Sequence, residues 1–218
     1  MWDLRAICDA CAEGIRREED RRTREQSPYG VDALDELTLH TVLRDGLTAE
    51  GFNVLAEQRY PHYRSRARRS EGDRCDIVLA PPGAAHLLDP LEAETLFGHR
   101  GANPADALWL EVKIARQFAL TDGVAGPGSQ YASQLLASAI ADVRKLAQDQ
   151  SIEFAALVLL LFAESVEIAT HDLGAWMNRC LDKQLPVNAP FTSAVNINDR
   201  IGNTTCMVAC VPVGRGDD

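Results

Sequence analysis

The chain has 218 residues, of which 46% are hydrophobic and 25% charged, a composition typical of a folded globular domain rather than a disordered or fibrous protein. Its longest unbroken apolar run, residues 154–163, is about half as long as a membrane-spanning helix requires. The net charge of −10 argues against a surface that is basic throughout.

The N-terminal part predicts two helices. Residues 2–26 form an amphipathic pattern whose second half carries charges of both signs at helical spacing. Because Asp9 interrupts its apolar part, we expect no signal peptide and a cytoplasmic protein without a membrane partner. A second helix is predicted from about Asp32, its N-cap, to Gly51. We therefore assign 1–30 to a helical extension and 31–218 to the main domain.

Three strands are predicted next, and the connections between them are long. The predicted strands are 52–59, 74–80 and 107–115, with an insertion at about 81–106. The first connection is basic: residues 59–74 contain six arginines and two acids, so this segment carries +4 and the remainder of the chain −14. We expect these arginines to contact a nucleic-acid backbone, although a solvated arginine-rich loop is the alternative. They are Arg59, Arg64, Arg66, Arg68, Arg69 and Arg74.

The rest of the chain predicts a glycine-rich flexible connection, then alternating helices and strands. The expected elements are a loop at 118–128, a helix at 129–149, a strand at 154–162, a helix at 171–183 and strands at 191–198 and 204–213. The strand at 154–162 is apolar on both faces, which is typical of a central strand. This order predicts an α/β fold with a mixed sheet, in which three strands form a meander and the fourth follows a helical crossover.

The third predicted strand, ALWLEVKIA, contains candidate metal-binding and catalytic residues. Side chains alternate along a strand, so Glu111 and Lys113 share one face, and Asp76 opens the preceding strand. In an antiparallel meander the carboxylates of Asp76 and Glu111 can converge on one cation, with oxygen ligands that suit Mg²⁺ or Mn²⁺. Lys113 then stands beside the metal, able to orient or deprotonate water or to neutralise a scissile phosphate. A salt bridge between Glu111 and Lys113 at a sheet edge is the structural alternative.

Cysteines and a histidine offer weaker signals. Cys8, Cys11, Cys206 and Cys210 could supply four thiolates to zinc, but they lie on apolar faces and are more simply interpreted as small buried hydrophobes. His40 lies beside the apolar stripe of the second helix, where a histidine at the edge of the core is expected more often than a ligand.

The pattern of Asp76 followed by Glu111-Val112-Lys113, in the order αβββαβ, resembles the PD-(D/E)xK nuclease superfamily, which includes restriction endonucleases and Holliday junction resolvases. The resemblance covers about residues 32–164. It implies that Asp76 and Glu111 bind Mg²⁺ or Mn²⁺, with the Val112 carbonyl as a third ligand, and that Lys113 is the catalytic lysine.

The resemblance also implies two further site residues. A glutamate on the helix before the sheet is expected, and Glu36 fits this role in competition with Glu57. A polar residue on the helix after Glu-x-Lys is expected as well, and Gln130 or Gln134 fits it. The sequence departs from the superfamily in having Cys75 in place of proline before Asp76, in the long gap to Glu111, and in lacking Gln-x-x-x-Tyr.

We therefore expect a metal-dependent endonuclease that hydrolyses phosphodiester bonds in DNA, acting in restriction, phage defence or repair. DNA is the expected partner. We also expect a second copy of the chain, or a separate subunit that provides sequence specificity or motor activity. The alternative is a catalytically inactive nuclease-like module that binds nucleic acid or a partner protein.

Overall fold

The computed structural model describes residues 2–61, 73–88 and 101–215. The α-helices in this part of the chain are α1 (Leu4–Arg24), α2 (Glu36–Ala49), α3 (Tyr131–Ser133), α4 (Ala139–Gln148) and α5 (Val166–Asp182). The strands are β1 (Asn53–Arg59), β2 (Arg74–Ala80), β3 (Leu108–Arg116), β4 (Phe118–Thr121), β5 (Val124–Pro127), β6 (Phe154–Ala163), β7 (Phe191–Asn196) and β8 (Thr205–Val213). No helix among these residues is long and apolar enough to cross a membrane.

Six of the eight described strands form a mixed sheet in the order β1-β2-β3-β6-β8-β7, and β4 pairs with β5 in a separate two-stranded sheet. The first three strands are an antiparallel meander, and β6 joins β3 in parallel after a helical crossover. The α/β class, the meander and the crossover are confirmed as predicted. Strand β6 lies inside the sheet, and nine of its ten residues are buried because helices cover both faces.

Two helical layers cover the sheet. Helices α4 and α5 pack on the face that carries Trp109 and Ala115, whereas α1 and α2 pack on the face that carries Val112 and Ile114. Helix α1 contributes Ile7 and other apolar residues to the same core as α2 and the sheet. All six cysteines are buried as free thiols.

Several boundaries differ from the predictions for local reasons. Helix α2 begins after Asp35, whose side chain caps it, because Asp32 lies in a 3₁₀ turn with its carboxylate buried against Asn203. The predicted loop at 118–128 is wrong: β4 and β5 form a hairpin around Asp122 and Gly123, both with positive φ, as a two-residue Asp-Gly turn requires. Helix α5 begins at Val166 rather than 171, capped by Ser165.

The helical segment predicted at 129–149 is present but changes pitch. A π-helical turn, Gln134–Ser138, separates α3 from α4. Two predicted features lie outside the described residues: the arginines at 64, 66, 68 and 69 of the basic segment, and residues 89–100 of the insertion.

Candidate active site

Asp76 lies where the backbone pairing of β2 with β3 ends. The ladder stops at the pair Ile77–Leu110, and the same register places Asp76 opposite Glu111. The Val112 N–H donates a hydrogen bond of 2.8 Å to Asp76 Oδ2, so a side chain takes the place of a strand carbonyl there. The two predicted carboxylates therefore meet on adjacent strands.

Glu111 is a buried carboxylate, 4% exposed, in contact with groups of both signs. Its Oε1 accepts a hydrogen bond from the Tyr60 hydroxyl and lies 2.8 Å from Lys145 Nζ. Burial, and then the charge of Asp76, raise the pKa of Glu111 to about 7. Burial also raises the pKa of Asp76, against hydrogen bonds from the Val112 N–H and from Glu111. The titrations of the two carboxyl groups are thus coupled.

Lys113 shares the face of Glu111 but pairs with a different residue. Its Nζ lies 3.0 Å from Asp142 Oδ2, so the alternative of a Glu111–Lys113 salt bridge is wrong. It is also not at a sheet edge, because β3 lies between β2 and β6. Burial acts to lower the pKa of Lys113, but the charge and hydrogen bond of Asp142, together with the charges of Glu36 and Asp76, make the net shift upward. Lys113 is therefore an ammonium group at neutral pH.

Helix α4 supplies two site residues that sequence reasoning missed. Asp142 and Lys145 are one turn apart and flank the stripe by which α4 packs on the sheet. Their signal was an acid and a lysine at i,i+3 spacing beside an apolar stripe, on the helix that crosses over from the Glu-x-Lys strand. Burial raises the pKa of Asp142, and the charge of Lys113 opposes this shift.

Tyr60 also belongs to the site, although its position at the start of the arginine-rich segment predicts a loop residue. It is fully buried and stacks on Trp109 with ring centroids 5.7 Å apart. Burial, followed by the charges of Cys75 and Glu111, raises the pKa of Tyr60, so its hydroxyl remains a hydrogen-bond donor. Its role in the site is to hold one oxygen of Glu111.

Helix α2 approaches Asp76 from the opposite face of the sheet. His40 is buried, with Nδ1 3.9 Å from Asp76 Oδ1 and Nε2 3.8 Å from Glu36 Oε1, distances too long for hydrogen bonds. Burial lowers the pKa of His40, which is therefore neutral at pH 7. Glu36 lies at the rim, with 60% of its side chain exposed, and its charge helps to raise the pKa of Lys113.

The remaining candidates are placed differently: Glu57 lies on β1 opposite Asp76, between the pairs Ala56–Ile77 and Gln58–Cys75, whereas Gln130 lines another pocket. Gln130 is exposed, and it lines a separate pocket of about 290 Å³ together with Gln134 and Arg116. Glu57 is exposed, and its carbonyl accepts a hydrogen bond from Arg74. Arg59 and Arg74 are the two arginines of the basic segment that the described residues include. The structure thus brings Asp76, Glu111 and Lys113 together, places Glu36 at their rim, and separates Gln130 from them.

Comparison of this chain with protein-family models, with curated proteins and with solved structures finds no match.

The donor set fits a hard divalent cation that keeps part of its water shell. Within the described ranges, no three or more His, Cys, Asp or Glu side chains are grouped so as to enclose a metal ion. Mg²⁺, however, is commonly bound through one or two carboxylates, with waters and substrate phosphates as its other ligands. Two adjacent carboxyl groups whose pKa values are raised chiefly by burial, with the charge of Asp76 adding to the shift of Glu111, are consistent with that mode of binding.

Proposed function

We propose that this protein is a metal-dependent endonuclease that hydrolyses phosphodiester bonds in DNA. The observation that carries the proposal is the placement of Asp76 and Glu111 side by side on adjacent strands, with protonated Lys113 on the same face. The choice of DNA rests on the resemblance of this pattern to PD-(D/E)xK nucleases.

Asp76 and Glu111 would hold Mg²⁺ or Mn²⁺, and the Val112 carbonyl would be a third ligand. A residue that turns its N–H toward a neighbouring strand turns its C=O the same way, so the Val112 carbonyl faces the side on which Asp76 lies. When bound, the metal ion would supply a Lewis acid and lower the pKa of a coordinated water.

Lys113 acts in this proposal as a cation rather than as a base. Because its pairing with Asp142 raises its pKa, it does not accept a proton at neutral pH. Its ammonium group can donate hydrogen bonds to a phosphate oxygen and offset the negative charge that develops there. Asp142 fixes the direction of the Lys113 side chain through the 3.0 Å contact.

The test combines metal binding with cleavage. We expect the isosteric variants Asp76→Asn and Glu111→Gln to lose Mn²⁺ binding by calorimetry and Mg²⁺-dependent cleavage of linear, circular and single-stranded DNA. D76N should keep or increase its melting temperature without metal, because it removes one of two like charges in a buried site, whereas E111Q also removes the partner of Lys145 and should lower it.

Asp45→Asn is the matched control, since Asp45 is an exposed carboxylate on α2. It should leave both metal binding and cleavage unchanged. RNA substrates and an EDTA lane complete the assay. Normal cleavage by D76N would overturn the assignment of the site.

A second candidate, an inactive nuclease-like module, is favoured by one observation. Both lysines of the site are paired to carboxylates, so the site neutralises most of its own charge. This candidate predicts DNA binding that is equal in EDTA and Mg²⁺ and no cleavage of any substrate.

A further inference from the structure

Lys145 occupies an unusual position in the proposed active site. Its Nζ lies 2.8 Å from Glu111 Oε1, donates a hydrogen bond of 3.3 Å to the Arg74 carbonyl, and stands 4.7 Å from the centre of the Tyr60 ring. It comes from α4, outside the Asp…Glu-x-Lys pattern. Residues from three separate parts of the chain, Glu111, Arg74 and Tyr60, therefore contact this one ammonium group.

This ammonium group and a divalent cation would compete for the same carboxylate. Glu111 is nearly fully buried, and a buried carboxylate requires a counter-charge or a proton. Lys145 provides such a counter-charge at 2.8 Å. A metal ion bound to Glu111 would compensate the carboxylate and repel the nearby ammonium group, so the reason for the Lys145–Glu111 pairing would be lost.

A place for the released side chain exists beside the site. Lys145 also lines a groove of about 690 Å³, together with Arg144 and Gln148 on the same helix. Asp73 and Asp149 line the groove as well, so both acidic and basic side chains line it. Lysine has a flexible four-carbon stem, and rotation about it can carry the ammonium group from Glu111 toward this groove.

We infer that Lys145 is an exchangeable cation: it neutralises Glu111 in the metal-free protein, yields this carboxylate to the divalent metal, and then binds a phosphate of a nucleic-acid strand in the groove. The inference rests on the proposed function and assigns a role that couples metal binding to substrate binding. Lys145 differs in this respect from Lys113, whose partner Asp142 is not a proposed metal ligand.

The first experiment measures Mn²⁺ affinity by calorimetry on the full chain without nucleic acid. Lys145→Met keeps the aliphatic stem over Tyr60 and removes the competing charge, so we expect Mn²⁺ to bind about tenfold more tightly. Arg144→Met is the electrostatic control: it removes a neighbouring positive charge that has no contact with Glu111 in the described residues, and the affinity should change by less than about twofold. Lys145→Arg should bind Mn²⁺ as weakly as the wild type. Equal affinities of K145M and wild type would overturn the inference.

A second experiment needs no variant. Acetic anhydride labelling of the wild-type protein, followed by mass spectrometry, reports how accessible the Lys145 amine is. We expect labelling of Lys145 to increase at least about threefold when Mn²⁺ is added, while Lys183, exposed at the end of α5, is labelled equally in both states. Unchanged labelling of Lys145 would show that metal does not release it.

The third experiment tests the coupling to nucleic acid, in a Lys113→Met background that slows cleavage. The probe is a fluorescein-labelled DNA duplex of about 20 base pairs, followed by anisotropy. Adding K145M should weaken DNA binding about fivefold in Mn²⁺. In EDTA it should weaken DNA binding by less than about twofold, because Lys145 is then paired with Glu111. Equal weakening in both conditions would contradict the exchange.

These measurements separate the inference from the proposed function. If the wild type binds no Mn²⁺, or if E111Q binds it normally, the metal site is wrong and the exchange falls with it. If Mn²⁺ binding requires Glu111 but K145M leaves it unchanged, the nuclease proposal stands and only the role of Lys145 is wrong.

Discussion

The Lys113–Asp142 pair offers a direct test of how the site is held together. Its two charges lie 3.0 Å apart, and each side chain keeps about a fifth of its exposure, 21% for Lys113 and 17% for Asp142. At an effective dielectric constant of about 20, two unit charges at this distance attract by about 5–6 kcal/mol. Desolvation of both groups opposes much of this attraction, so we expect a net coupling of about 1–3 kcal/mol.

A double-mutant cycle measures the coupling directly. Lys113→Met, Asp142→Ala and the double variant are unfolded with urea, and the coupling free energy is the departure from additivity. Each single variant should lose up to about 3 kcal/mol, because it leaves one partly buried charge without its partner. The double variant should lose less than the sum of the two.

The chain provides a matched control pair on its surface. Arg17 and Glu50 lie 3.1 Å apart, but about half of each side chain is exposed. Their coupling should be below about 1 kcal/mol and should shrink further in high salt, whereas the Lys113–Asp142 coupling should persist. Equal couplings for the two pairs would refute the conclusion that burial strengthens the pair in the site.

The same variants separate stability from catalysis. If Lys113 stabilises charge on the phosphate, K113M should reduce the single-turnover rate about 10²–10⁴-fold, while the folded fraction stays near that of the wild type at 25 °C. A folded K113M protein that cleaves at the wild-type rate would show that Lys113 has only a structural role.

Two further predictions concern regions remote from the site. Gly46→Ala should destabilise the protein by about 1–3 kcal/mol in urea unfolding, because its Cβ would lie 2.6 Å from the Ala10 carbonyl where α1 crosses α2; Gly174→Ala, with nothing within 4 Å, should instead stabilise α5 by up to about 1 kcal/mol. If both glycine variants change stability in the same direction, the tight helix crossing is wrong. Burial raises the pKa of Asp32, so the folded state keeps this proton to higher pH than the unfolded chain, and wild-type stability declines as the pH rises through the interval between the two pKa values. Asp32→Asn does not titrate, so its stability relative to the wild type should increase in urea titrations as the pH rises above about 4, the usual pKa of an aspartate, and a constant difference would contradict the shift.

The part of the site that lies on strands could be predicted from the sequence. A strand has a side-chain period of two, so Glu111 and Lys113 had to share a face, and an antiparallel meander brings Asp76 next to Glu111. The residues that the helix contributes could not be predicted in the same way. Periodicity shows which side of α4 packs on the sheet, but the contacts of Asp142 and Lys145 depend on where the crossover sets that helix along β3.

A different reason explains the missed hairpin and the missed tyrosine. The Asp122-Gly123 dipeptide is a strong turn signal, but the glycine-rich composition around it favoured a flexible loop. Tyr60 follows directly on a strand and precedes a run of arginines, so its local sequence predicts exposure. Its burial arises from stacking on Trp109, a contact between residues far apart in the chain.

The charge balance of the site bears on whether it is structural or functional. An ion-pair network that only stabilises a fold is expected to neutralise itself, because an uncompensated buried charge is costly. Among the described residues, three carboxyl groups, on Asp76, Glu111 and Asp142, meet two ammonium groups, on Lys113 and Lys145, and the nearby histidine is neutral. The excess negative charge falls on the two adjacent carboxyl groups, and it contributes to a pKa of about 7 for Glu111. Within the described residues, this imbalance is what a site that takes up a cation requires, and it favours the proposed metal site over a purely structural ion-pair network.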